Sequence, residues 1–438
     1  MRPLLTLVGA LFLLLMQPAG TTATTVPTFD GPVLAGRNCG GTSKPGSLSA
    51  AALAATGGPG WTIGGPLDKP ATAGNQLAPS IAVSPLGAVY YAWQEQRAGD
   101  PGDILAAPLG GQASGGRLAV RVDDTGAAAV EQASPALAID GSGRLHAVWE
   151  DLRGGARRDL YYATSDDEGT SWSTNTPLTG ALSSLNHISP HLIAGPGAAL
   201  YLAWDGGDDI YFSRSTGGAW STPVPINSDR AVDRDLPRLA LDAQGGLVAA
   251  WEDHRSPTPA IFVARLAQPD TGDWSDEVRA TPLGVSAQQP SLAAAPDGTL
   301  YLAYQGDPGI FITASSDGGA TWSEPQRVDD GINSPFLTPL ANPQVAVDAH
   351  GGVHCIWCRL RAQDGFADIV AARSTDGGVT WGDRAVLAST TGTAEPLALA
   401  ADDAGNIFAA WSDDSTVSTA LHTAQWSSAR LFLPLLRR

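Results

Sequence analysis

Four segments of the chain place an arginine four positions after a tryptophan: Arg97 after Trp93, Arg153 after Trp149, Arg255 after Trp251 and Arg361 after Trp357. In three of them an acid precedes the arginine by two, at Glu95, Asp151 and Asp253, and in the fourth the same place holds Arg359. Two further acids, Glu150 and Glu252, sit directly after their tryptophans. A guanidinium grips a carboxylate through two parallel bonds, so a ring of such groups would clamp an anionic ligand. The ligand-binding candidates are therefore Arg97, Glu150, Asp151, Arg153, Glu252, Asp253, Arg255, Arg359 and Arg361. The same pattern also suits an ion pair that staples each loop to its neighbour. Repetition favours the staple, because catalytic groups normally occur once each. No catalytic residue is assigned.

Metal chemistry has a thinner basis. Asp205, Asp208 and Asp209 could hold Ca²⁺ together with loop carbonyls, although a solvated acidic loop accounts for them as well. No other metal or cofactor is expected. Cys355 and Cys358 have the spacing of half a zinc site, but no second pair exists among the three cysteines of the chain. Their segment reads as a strand, so both are taken as small buried hydrophobes. Cys39, far upstream, is either an odd thiol or a partner for one of them.

These residues belong to a unit that recurs from Asn75 onward. A proline leads into an apolar strand, a glycine-containing turn follows, and a second apolar strand ends on an aromatic residue. The prolines are Pro79, Pro135, Pro190, Pro237, Pro290, Pro343 and Pro396, spaced 47 to 56 residues apart. The aromatics are Trp93, Trp149, Trp204, Trp251, Tyr304, Trp357 and Trp411, each 14 or 15 residues after its proline. A period of this length with several short strands per unit predicts propeller blades. The expected fold is all-β, with seven four-stranded blades; six blades is the alternative if an end unit packs outside the ring. In unit five the expected strands are 291–295, 299–305, 309–315 and 321–328. The last unit is short, and its outer strand comes either from 430–436 or from Trp61-Thr62-Ile63.

A second motif punctuates the units. Ser315-Ser316-Asp317-Gly318-Gly319-Ala320-Thr321-Trp322 and Ser374-Thr375-Asp376-Gly377-Gly378-Val379-Thr380-Trp381 are full copies, and Ser165-Asp166-Asp167-Glu168-Gly169-Thr170-Ser171-Trp172 has Ser for Thr. Degenerate forms occur at Ser213–Trp220 and at Pro269–Trp274. The Asp accepts hydrogen bonds from turn amides, Gly takes the positive-φ place, and Thr and Trp are expected to begin the next strand. The structural set is Ser165, Asp167, Gly169 and Trp172, then Ser315, Asp317, Gly319 and Trp322, then Ser374, Asp376, Gly378 and Trp381.

This motif resembles the Asp-box, or bacterial neuraminidase repeat, of the sialidase-like β-propellers. The resemblance covers nearly all of residues 75–438. It implies that the Asp-box turns lie on the face opposite the active site. It also implies, for a true sialidase, three arginines for the substrate carboxylate, a Tyr nucleophile backed by a Glu, and an Asp acid/base. The chain departs from that set. Its Arg-Ile-Pro motif is missing, with Leu77 where the Arg would stand before Pro79, and its last tyrosine is Tyr304. The family propeller has six blades, against seven units here. A ligand-binding module, taking a glycan or an extracellular protein, is favoured over an exo-α-sialidase-type glycoside hydrolase with diverged residues.

Compartment and charge complete the reading. Residues 4–16 are apolar, follow Arg2 and precede small residues, which predicts a secretory signal peptide over 1–23. A flexible leader rich in Ala, Gly, Ser and Thr is expected over 24–60, then the propeller over 61–438, with a sorting or anchoring tag at 430–438 as one reading of the tail. No later stretch is long and apolar enough to span a bilayer. The 44 acidic and 26 basic residues give a net charge of −18, which excludes nucleic acid and anionic membrane surfaces as general partners. The protein is expected to be secreted, and associated with the cell surface if the tail is an anchor.

Overall fold

The computed structural model describes residues 60–66, 74–109, 119–126, 130–182, 184–228, 232–269, 272–331, 340–361, 367–390, 394–413 and 419–427. The segments expected to be signal and leader, up to residue 59, with Cys39, then Asp270 and Thr271, and the tail 430–438 lie outside the described residues.

Seven antiparallel four-stranded sheets form, each built from consecutive strands except the last. Blade four shows the pattern: Arg234–Leu241, Leu247–Asp253, Ala260–Leu266 and Val278–Arg279, from the innermost strand outward. The second strands are buried on both faces, as in Leu247–Asp253, because a neighbouring blade covers each side. Each adjoining pair of blades shares an apolar cluster, and blades six and seven share two. Between blades one and two, for example, Ile104, Ala106 and Val122 meet Leu137, Leu145 and Trp149. The final interface, of Tyr91, Trp93 and Leu105 with Phe408, Ala410 and Leu421, joins blade one to blade seven and closes the circle. Six tryptophans and Tyr304 lie in the second strands, each no more than 1% exposed, and the strands run two to four residues past them and do not end on them as expected.

Blade seven is Ala394–Ala401, Ile407–Asp413 and Ala420–Trp426, and its outer strand is Trp61–Pro66, which pairs with Ala420–Trp426. The N-terminal side of the propeller thus supplies the closing strand, and the alternative from 430–436 is set aside. Gln76 and Asn75 of blade one add to the seam: the Leu421 amide donates to Gln76 Oε1 at 2.9 Å and the Thr419 amide to Asn75 Oδ1 at 3.1 Å.

Three local expectations need correction. The repeat prolines do not open their strands. The innermost strands begin a few residues earlier and break register at the proline, as between Asp235 and Arg238. At such a bulge the missing proline N–H costs no ladder bond. The residue before the proline is left-handed in six blades: Ala78, Ser134, Ser189, Leu236, Gln289 and Asn342. The fourth strand of blade five is not 321–328 but only Gln326–Arg327, because Thr321 and Trp322 remain in the turn. Finally, Cys355 is a free buried thiol, whereas Cys358 is disulfide-bonded and so is more than a small hydrophobe.

The Asp-box turns follow the expected bonding. Ser315 Oγ donates to Asp317 Oδ1 and accepts from the Gly319 amide, both at 2.8 Å, while Thr321 gives its amide and hydroxyl to the Asp317 carboxylate. Asp376 and Asp167 repeat the arrangement with Thr380 and Ser171. Gly318 and Gly319 take φ of +71° and +92°, conformations a side chain would resist. These turns, together with the first-to-second strand turns, occupy one rim. The second-to-third loops and the inter-blade connections form the other.

Candidate functional site at the channel mouth

The second strands end at this other rim, and alternation along them divides the candidates into two sets. The residue two after each tryptophan shares the tryptophan's face, toward the preceding blade. There Asp151 accepts from the Trp149 indole at 3.0 Å and from Arg153 Nε at 2.9 Å. Arg153 also bonds Asp124 and Asn175 and lies 4.1 Å over the Tyr161 ring. Asp253 does the same for Trp251 and Arg255, with Glu277 as a further partner and Phe262 beneath the guanidinium at 4.0 Å. Arg234, wholly buried, adds its Nε to Asp253 at 2.9 Å. Arg97 lies 3.6 Å from Glu95 and 3.4 Å from Asp103. Arg359 bonds Asp330 and Asp368, and Arg361 lies 3.7 Å from Asp368. The five arginines are thus spread around the rim, each beside acids of its own blade or the adjoining loop.

The residue directly after each tryptophan turns inward, to the next blade. Glu150 accepts from the Ser189 amide at 2.9 Å and lies 3.2 Å from Arg158, which also reaches Glu131 at 3.0 Å. Glu252 accepts from the Gln289 amide and from Gln288 Nε2, both at 3.0 Å. Between them, Asp205 of blade three shares a hydrogen bond with Asp235 of blade four.

This places five groups from two blades together: Asp205, Asp233, Asp235, Glu252 and His254. His254 Nε2 lies 3.2 Å from Glu252 and 3.3 Å from Asp235. Asp205 and Glu252 are buried, Asp233 is exposed, and Asp235 and His254 are partly exposed. Burial, and then the Asp235 carboxylate, push the Asp205 carboxyl well above the usual range. Burial and Asp233 raise Asp235 as well. Burial also pushes on Glu252, but the groups that face it (His254, the Gln289 amide and Gln288) outweigh that and hold it low. Glu252 in turn raises His254. Two carboxyls that hydrogen-bond share one proton, the raised carboxyl of Asp205 favours it as the donor to Asp235, and the cluster offers acceptors to the mouth.

Asp205, Asp208 and Asp209 do not come together as a calcium loop. Asp208 is exposed, Asp209 accepts from Asn227 at 2.8 Å, and Asp205 faces Asp235. Among the described residues, the one group with cation-ligand spacing is Asp233, Asp235 and His254, whose ligand atoms lie within 4.8 Å of one another. Sequence analysis singled out Asp205 and Glu252 of this cluster, but not Asp233, Asp235 or His254, nor the buried Arg158 and Arg234. Their signal was faint, since each meets its partners from a different strand or loop and not at a fixed offset along the chain.

Comparison with known proteins agrees with this architecture. Residues 245–429 match the model of the BNR repeat-like domain. A sialidase of Micromonospora viridifaciens is 30% identical over 125 residues, a match that spans 23% of this chain and 19% of that sialidase. An ulvan lyase, titled a new family of polysaccharide lyase, superposes with a TM-score of 0.56 at 13% identity, over 82% of this chain and 95% of its own. A protein of unknown function from Dyadobacter fermentans superposes with a TM-score of 0.51 at 15% identity, over 84% of this chain and 100% of its own.

Proposed function

We propose that this BNR-repeat propeller of sialidase type is an exported carbohydrate-binding protein that takes an uncharged glycan at the channel mouth, opposite its Asp-boxes. The observation that carries the reading is the convergence of Asp205, Asp233, Asp235, Glu252 and His254 from two blades. Carboxylates and an imidazole at that spacing accept and donate hydrogen bonds to vicinal sugar hydroxyls, and their negative field disfavours an acidic sugar. Two of the proteins to which the chain is similar, a sialidase and a polysaccharide lyase, carry carbohydrate-active names. Export rests on the apolar segment at residues 4–16.

Binding is favoured over hydrolysis by three features. Asp205 and Asp235 touch, whereas two carboxyls that flank a scissile glycosidic bond stand about 5 Å apart or more. Seven of the eight tyrosines are buried and the other, Tyr161, is covered by Arg153, so none offers a nucleophile at the mouth. The arginines that would hold a sialoside carboxylate are occupied by acids of the protein. A glycan array tests the reading. Neutral oligosaccharides are expected to bind and sialylated ones not, with Asp235→Asn and His254→Ala each abolishing the signal. Preferred capture of sialylated glycans, or retention of binding in both variants, would refute it.

A further inference from the structure

The innermost strands enclose a central channel of about 450 Å³. The described side chains that line it include serines, Gln289, Asn342, Gln344, His191 and Arg238, and none of them is Asp or Glu. This is unexpected in a chain with 44 acidic residues.

The residue after each repeat proline explains how the two basic groups come to be there. At that place Ser80 Oγ accepts from the Leu137 amide of the next blade and Ser291 Oγ from the Val345 amide, both at 3.0 Å. His191 takes the same role, with Nδ1 accepting from the Leu239 amide at 3.1 Å. That bond fixes the tautomer: in neutral His191 the proton is on Nε2, which is then a donor. Burial, and then Arg238, pull His191 down to about 3, so it is neutral at physiological pH. Arg238 stands at the equivalent place in blade four and breaks the pattern, since a guanidinium has no acceptor to give. Its Nη1 donates to the Pro237 carbonyl at 2.9 Å. No carboxylate among the described residues pairs with it, and burial alone acts on it, lowering it to about 10. A half-buried cation without a counter-charge among the described residues is costly to keep.

We propose that the channel is a binding site for a small oxyanion, held by the Arg238 guanidinium and the Nε2–H of His191. Both are donors, the described residues of the wall include no competing acid, and the space accommodates a carboxylate or a sulfate. The site lies inside the wheel, below the carboxylates of the mouth, and its occupant is independent of any glycan bound there.

The test is thermal melting of the full chain in sodium sulfate or sodium acetate, with chloride making up a constant ionic strength. A saturable rise in melting temperature with either salt is expected, sulfate alone indicating a tetrahedral oxyanion and acetate alone a carboxylate. Arg238→Met should weaken that oxyanion by roughly tenfold or more, as loss of a charged hydrogen-bond donor implies. His191→Ser keeps the acceptor for Leu239, as Ser80 and Ser291 do, and removes the Nε2 donor. It should weaken binding in the same direction, and it decides the matter alone if Arg238→Met does not fold. No saturable response in the wild type, or unchanged affinity in the variants that fold, would overturn the proposal.

Discussion

Burial disfavours the charge of Asp205 and Asp235 stands against it, so its carboxyl releases its proton only above the usual range. The unfolded chain releases that proton near the ordinary carboxylate pKa, so the folded state binds it more tightly. Its contribution to stability is full below that value and is lost as pH rises toward the folded pKa. Asp205→Asn removes this loss. Urea unfolding should find the variant more stable than the wild type at pH 8, with the gap narrowing toward pH 4. A gap independent of pH would mean that Asp205 is not protonated in the fold. Arg255 tests the opposite kind of residue. It grips Asp253 and Glu277 and covers Phe262. Arg255→Gln should therefore cost about 1–2 kcal/mol, discounted for its partial exposure, and leave glycan binding intact. Lost binding without lost stability would make Arg255 a ligand residue.

At the scale of the element, the Asp-box hairpin owes its shape to one carboxylate and two glycines. Asp317→Ala should lower stability by about 1 kcal/mol, since its bonds to Ser315 and Thr321 lie at an exposed turn. The carboxyl of Asp317 is held below its usual range by the Thr321 hydroxyl and amide. The stability it contributes is present above the unfolded pKa and is lost as pH falls through the folded one, so wild type and variant should converge in acid. Asp376→Ala should act in the same direction. This much was legible in the sequence, because turn chemistry is local: Ser, Asp, Gly and Thr at fixed offsets bond one another. The bulges at the repeat prolines were not, since a register break depends on the partner strand. Nor was the pairing of Asp205 with Asp235, which belong to different blades and meet only when these pack. Arg238 was within reach. Lined up by their prolines, the units have Ser80, Ala136, His191, Arg238, Ser291, Gln344 and Leu397 in one column, and a donor-only residue stands out there.

The whole molecule depends on closure. A blade exposes apolar surface on both sides until its neighbours cover it, and blade seven needs a strand from the far end of the propeller. Gly60, at φ +90°, turns the chain into that strand against the Trp426 ring, where a Cβ would fall 2.3 Å from the indole nitrogen. Gly60→Ala should destabilise by about 1–3 kcal/mol, and hydrogen exchange should show protection lost first in Ala420–Trp426. Uniform loss around the ring would deny this seam its special role. The count of seven was readable from the repeat itself, and so was the closing strand as one of two choices. What the repeat concealed is that the proposed sites sit in the departures from it: acids gathered between blades three and four, above a channel whose described residues include none.

The most direct measurement is isothermal titration of the best neutral oligosaccharide from the array into the wild type, Asp235→Asn and Asp317→Asn, each checked for folding by circular dichroism. The account predicts that binding is lost with Asp235→Asn and unchanged with Asp317→Asn. Equal affinity for wild type and Asp235→Asn, or loss only with Asp317→Asn, would contradict it.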